Sequence, residues 1–169
     1  NLTFSASSYQ ANENSGVRTI TVNRTDGSNG QISVSYATGD GFATAGQDYT
    51  ATSGTLVFNT GETVKTFDVP ILNDTIDEPA TESFNVTLSS PSPNVNLTPH
   101  ATATVIIIDD DNPPQISIND VSLEETNVGS VQMNFTVLLS NPSSSTVTVD
   151  FGTANGSATQ NSDYLPASG

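Results

Sequence analysis

Cysteine and tryptophan are absent from this 169-residue chain, histidine and methionine occur once each, and only three residues are Lys or Arg. Without thiols there is no disulfide framework and no thiolate metal site. One imidazole is too few for a zinc or copper site or for a Ser/His/Asp triad. Lack of tryptophan removes the usual sugar platform, so a carboxylate pair working on glycosides would have no aromatic-lined cleft. We expect no enzyme. Against the three basic residues stand eighteen Asp and Glu, a formal charge of −15. Nucleic acid is not an expected partner, because phosphate binding needs clustered Lys and Arg. Anionic membrane surfaces are disfavoured for the same reason. No apolar run approaches the roughly 20 residues of a membrane-spanning helix, so direct membrane insertion is not expected. No signal peptide is visible, since Asn1 opens directly on strand-like sequence.

What the chain does have is alternation. Ile20/Val22, Ile32/Val34/Tyr36, Leu56/Phe58, Phe67/Val69/Ile71, Phe84/Val86/Leu88 and Val105/Ile107 each alternate with polar residues, the period of half-buried strands. An opening strand around Leu2 to Tyr9 makes seven. Gly- and Asn-rich turns such as "TDGSNG", "TGDG" and "NTGE" separate them. The expected fold is all-β, an immunoglobulin-like seven-stranded antiparallel β-sandwich, without the Cys–Trp–Cys signature of antibody domains.

The pattern then starts again. "SYATGDGFATAGQDYTATSG" (Ser35 to Gly54) aligns with "DFGTANGSATQNSDYLPASG" (Asp150 to Gly169) at a constant offset of 115. Pro113 and Pro114 end strand pairing and stiffen a connector. Residues 1–112 form one complete repeat and 113–169 the front half of a second. Half a sandwich leaves an apolar face and strand edges uncovered. We expect more chain beyond Gly169, or strand exchange with another chain.

Acids gather at strand ends and turns: Glu13, Asp48, the "LNDTIDEP" loop and the triplet Asp109, Asp110 and Asp111. At 4 Å a like-charge pair costs roughly 4 kcal/mol at an effective dielectric of about 20. A hard dication relieves that cost. Ca²⁺ takes 6–8 oxygens (roughly) in flexible geometry, whereas Mg²⁺ demands a near-ideal octahedron.

"NENSG", the stretch from "YATGDGFATAGQDYTATSG" through "VKTFDVPILND", and the closing "ATVIIIDDD" together resemble the Calx-beta domain. The resemblance covers the first repeat and continues in "DVSLEETNVG" and "NGSATQNSDYLPASG" of the second. That family occurs in the regulatory region of sodium–calcium exchangers and repeatedly in bacterial surface proteins. The resemblance implies Ca²⁺ held in distal loops beside the linker. Its ligands would be Glu13, Asp48, Asp74, Glu78, Asp109, Asp110 and Asp111. Asn73 stands where the family often has an aspartate and offers only a carbonyl oxygen, so affinity or ion number should fall. Glu125 and Asp163 match Glu13 and Asp48 in the second repeat; counterparts of the other acidic clusters are expected beyond Gly169, so the second repeat is not expected to complete the site within this chain. Asp77 is expected to face solvent, Asp26, Asp40 and Glu62 to form turns, and His100 to be an exposed bystander. The Asn-X-Ser/Thr triplets follow from composition and imply no glycosylation.

The resulting expectation is a Ca²⁺-binding structural module in a tandem array, partnered by neighbouring repeats and located outside a bacterial cell. Two alternatives are a metal-independent adhesion module and a cytosolic Ca²⁺ sensor of a transporter.

Overall fold

The computed structural model describes residues 1–98, 100–126 and 129–169; residues 127 and 128, at the end of "DVSLEETNVG", lie outside that description. Alternation decides which side chains turn inward. In β3 (Val17–Arg24) these are Ile20 and Val22, in β4 (Ile32–Gly39) Val34, and in β5 (Ser53–Phe58) Leu56 and Phe58. In β6 (Val64–Pro70) they are Phe67 and Val69, in β7 (Thr81–Ser89) Phe84, Val86 and Leu88, and in β8 (Thr102–Ile108) Ala103, Val105 and Ile107. Together they make one buried core. Each fully buried Val, Leu, Ile or Phe contributes about 1.5–3 kcal/mol. Tyr36 stacks on Phe67 at 3.9 Å between ring centroids, joining the two sheets.

The expected opening strand is in fact two, and this is the main departure from the seven-strand expectation. β1 (Leu2–Phe4) runs antiparallel to β3, in a three-stranded sheet ordered β1-β3-β6. After Ser5, Ala6 and Ser7 the chain crosses, and β2 (Ser8–Asn12) joins the opposite sheet, ordered β2-β8-β7-β4-β5. There it pairs with β8 in parallel. Small residues let the backbone switch sheets while Leu2 and Phe4, then Tyr9 and Ala11, stay buried. The Tyr9 hydroxyl ties the crossing by donating to the Thr21 carbonyl at 3.1 Å and sharing a 3.0 Å bond with Ser5. Among its described residues the first repeat is thus an eight-stranded sandwich in which β2 and β8 pair in parallel.

Turns are organised by side chains rather than by backbone alone. The buried Arg24 guanidinium donates to the carbonyls of Gly27, Asn29 and Gly30 at 2.6–2.9 Å and so holds the "TDGSNG" turn.

Among the described residues after 112, two short strands form, β9 (Ile116–Ile118) and β10 (Val137–Leu139), paired antiparallel. Apolar residues such as Phe135, Leu138, Val149 and Phe151 are exposed. The loop after Gly152 copies its counterpart in the first repeat. The Tyr49 hydroxyl donates to Asp40 at 2.6 Å, and the Tyr164 hydroxyl to Asn155 at 2.7 Å. The amide of Thr44 donates to Asp48, and that of Thr159 to Asp163. Asp40 therefore works as a turn acceptor, a task an uncharged Asn155 performs equally.

Candidate metal centre

Strand register brings the acids to one pole. Asn12 lies opposite Ile108 in the parallel pair, so the next residues, Glu13 and Asp109, leave the sheet side by side. Thr81 also lies opposite Ile108, and Glu82 opposite Ile107, which brings Glu78 to the same corner. Val17 lies opposite Pro70, and the Ile71 amide donates to the Gly16 carbonyl at 3.1 Å. That contact carries Asn73 and Asp74 towards Glu13. The Leu72 amide donates to the Asp48 carbonyl at 3.0 Å, which draws in the "QDY" turn.

Three carboxylate groups result: Glu13 with Glu78 and Asp109, Glu13 with Asp74 and Asp111, and Asp48 with Glu78 and Glu82. Within each, one oxygen per residue lies within 4.8 Å of the others. Among the described residues the ion pair found is Lys65–Glu62, in a different turn, so no basic side chain offsets this charge. Glu13 is only 4% exposed. Its Oε1 accepts from the Asp74 amide at 2.7 Å, while its Oε2 and Oδ1 of Asp109 are buried with no hydrogen-bond partner. Buried polar atoms in folded proteins are normally paired, so two orphaned carboxylate oxygens facing one corner call for a proton or a cation. The acids leave a space of about 10 Å³ between them, room for one water-sized particle.

Protonation responds accordingly. Burial, reinforced by Asp48 and Glu82, pushes the Glu78 carboxyl up to about 7. Burial also raises Glu13 and Glu82, with the charges of Asp74 and Asp48 adding respectively. Desolvation and repulsion by Asp109 and Asp110 raise Asp111. An all-oxygen, strongly anionic donor set without nitrogen or sulfur suits a hard divalent cation. The residues present therefore fit such an ion.

Six of the eight expected ligands, Glu13, Asp48, Asp74, Glu78, Asp109 and Asp111, fall in these groups. Asp110 does not; it is exposed and accepts from the Asn14 side-chain amide. Asn73 is exposed too, its amide donating to the Asp74 carbonyl at 3.0 Å. Glu82 was missed. It lies two residues before the buried Phe84, so the period-2 phase that turns Phe84 inward also turns Glu82 inward, a signal legible in "ESFNV". Asp77 does not simply face solvent. Its amide donates to the Pro142 carbonyl at 3.2 Å, its carbonyl accepts from the Ser144 amide at 2.9 Å, and its Oδ2 accepts from Ser143. The acidic loop thus touches the second repeat.

Fold and site define a tandem β-sandwich protein with an anionic, cation-accepting pole at the junction between repeats. The Calx-beta domain family matches over residues 1–111 and 113–169, and the chain belongs to that family. It is 33% identical over 167 residues to the sodium/calcium exchanger Calx of Drosophila melanogaster, covering 98% of this chain and 17% of the exchanger. It is 34% identical over 177 residues to human sodium/calcium exchanger 3, covering 92% of this chain and 19% of that protein. The chain therefore spans less than a fifth of these relatives. Among solved structures, the apo-form Calx CBD1 domain superimposes with a TM-score of 0.63 at 34% identity, over 65% of this chain and 96% of that one. The calcium binding domain CBD12 of CALX1.1 gives 0.64 at 31% identity, over 76% and 54%.

Proposed function

We propose that this chain is a Ca²⁺-binding regulatory module whose ion-dependent pole sets the junction between two repeats, as part of a transporter that responds to cytosolic Ca²⁺. The observation that carries the reading is the pair of buried, unpartnered carboxylate oxygens on Glu13 and Asp109. Glu13, Asp48, Asp74, Glu78, Glu82, Asp109 and Asp111 would hold the ion or ions. Similarity to sodium/calcium exchangers along nearly the whole chain, and to a structure described as a calcium binding domain, supports Ca²⁺ as the ion. The same relatives favour the transporter-sensor reading over an extracellular bacterial linker.

Charge explains how binding becomes a signal. Without the ion, the Asp109–Asp111 triplet repels Asp74 and Glu13, and nothing fastens the strand end to the loop. With the ion, those carboxylates share a counter-charge, and the Asn73–Glu78 loop that carries Asp77 is fixed against Pro142, Ser143 and Ser144. The role is one of binding, with no catalysis assigned. The neighbouring repeat is its first partner, and the exposed Val137, Leu139 and Phe151 would receive a further strand in an exchange with another chain.

The test is calorimetric titration of the chelator-treated chain with Ca²⁺ and, separately, Mg²⁺. Saturable heats for Ca²⁺ that weaken at least tenfold in Asp109→Asn are expected. Equal heats for the two ions, or none for Ca²⁺, would refute the reading.

A further inference from the structure

Two of the three basic side chains are satisfied: Arg24 by three carbonyls and Lys65 by Glu62 at 2.8 Å. Arg18 is different. Its guanidinium lies over the Tyr9 ring, 5.3 Å from the centroid. Its Nε is buried without a hydrogen-bond partner, and among the described residues no carboxylate ion-pairs with it. The chain has eighteen acids, yet among the described residues the ion pair formed is Lys65–Glu62. The cation–π contact with Tyr9 anchors the guanidinium, whose fork of N–H donors matches a carboxylate.

Arg18 lines a groove of about 280 Å³ with Gln10, Asn12, Ser15, Val17 and Ile108. One wall is β2 itself. That strand pairs with β8 on one side and ends its sheet on the other, so its outer backbone groups are open to a further strand. Pockets for drug-sized ligands run from roughly 300 to 1,000 Å³; this groove is smaller and suits an acidic side chain with its adjoining backbone. The metal pole is a separate place. Glu13 joins Asp109 and Asp74 there, while Asn12 and Ser15 from the same turn line the groove.

We propose that the outer edge of β2 is a docking site for an extended peptide segment bearing an Asp or Glu, which adds as a strand and pairs its carboxylate with Arg18. Backbone pairing along Ser8–Asn12 supplies affinity, and the Arg18 fork supplies the choice of an acid at one position. This inference does not depend on the identity of the bound cation.

The test is nitrogen-15 NMR of the full chain, whose two arginines give two separable Nε–H signals. The probes are a blocked Thr-Val-Glu-Val-Thr peptide, its Gln counterpart, and sodium acetate, each added with chelator and again with Ca²⁺. Saturable shifts of the Arg18 Nε–H and of the Ser8–Asn12 amides with the Glu peptide are expected. The Gln peptide should bind about tenfold more weakly, a difference of about 1.4 kcal/mol, and acetate should move the Arg18 signal alone. Arg18→Lys, with dispersed spectra showing that it is folded, should lose the preference for Glu over Gln. Equal binding of the two peptides, no shift along β2, or acetate matching the peptide would overturn the proposal.

Discussion

Asp77 accepts a hydrogen bond from the Ser143 hydroxyl across 2.9 Å, so the loop that supplies Asp74 and Glu78 to the metal pole is fastened to the second repeat. Only Thr75 and Ile76 separate Asp74 from Asp77, and the same short loop faces both ways. Asp77→Ala should leave Ca²⁺ stoichiometry unchanged and loosen the junction. The backbone bonds to Pro142 and Ser144 survive that change, so the stability loss should be small, about 1 kcal/mol or less. Denaturant titration and relaxation measurements on the second repeat check both halves.

Neutralising one acid should have opposite effects in the two states of the site. Glu78→Gln removes repulsion from Asp48 and Glu82 and should raise the melting temperature of the chelated chain by a few degrees. In millimolar Ca²⁺ it should lower it, because a ligand is lost. Wild-type protein at a hundredfold excess of Ca²⁺ over its dissociation constant gains about 2.7 kcal/mol. Melts in both buffers should therefore cross between wild type and variant; lines that do not cross speak against a shared ion.

Proton dependence follows from the same carboxyl. Glu78 titrates at about 7 in the folded chain, above its unfolded value, so the folded state holds the extra proton in between. Stability of the metal-free chain should fall as pH rises from about 4.5 to about 7. Ca²⁺ must displace that proton, so affinity should rise with pH, up to tenfold (roughly) per unit below about 7, and level off above it. Glu78→Gln should flatten the profile.

Gly41 tests the loop that presents Asp48. A Cβ there would meet the Ser83 carbonyl oxygen at 2.3 Å, and the Ala43 amide donates to that same carbonyl at 3.0 Å. Gly41→Ala should cost about 1–3 kcal/mol and weaken Ca²⁺ by displacing Asp48. Gly156→Ala, at the equivalent position, meets nothing within 4 Å and should be silent.

Much of this was legible in the residues. Period-2 alternation gave the inward faces of β3 to β8, because apolar burial is what sets strand phase. The sheet switch after Phe4 was missed although it leaves a trace, since the buried positions change parity from Leu2 and Phe4 to Tyr9 and Ala11; a strand read as one continuous run hides that break. That switch matters for function: only the parallel register of β2 with β8 sets Glu13 beside Asp109. Glu82 was readable from its phase relative to Phe84. The Asp77 clasp was not, because it depends on how a loop of one repeat meets a loop of the other. Asp110 and Asn73 carry the right chemistry, but Asp110 accepts from the Asn14 side-chain amide and the Asn73 amide donates to the Asp74 carbonyl.

The most direct test of the account uses the absence of cysteine. Thr55→Cys in the first repeat and Thr148→Cys in the second, both at exposed positions, accept spin labels at two sites and nowhere else. The distance distribution between them is measured in chelator, in Mg²⁺ and in Ca²⁺. A broad distribution that narrows in Ca²⁺ alone, and stays broad in Asp109→Asn, is the expected result. Identical widths in all three buffers would contradict an ion-set junction.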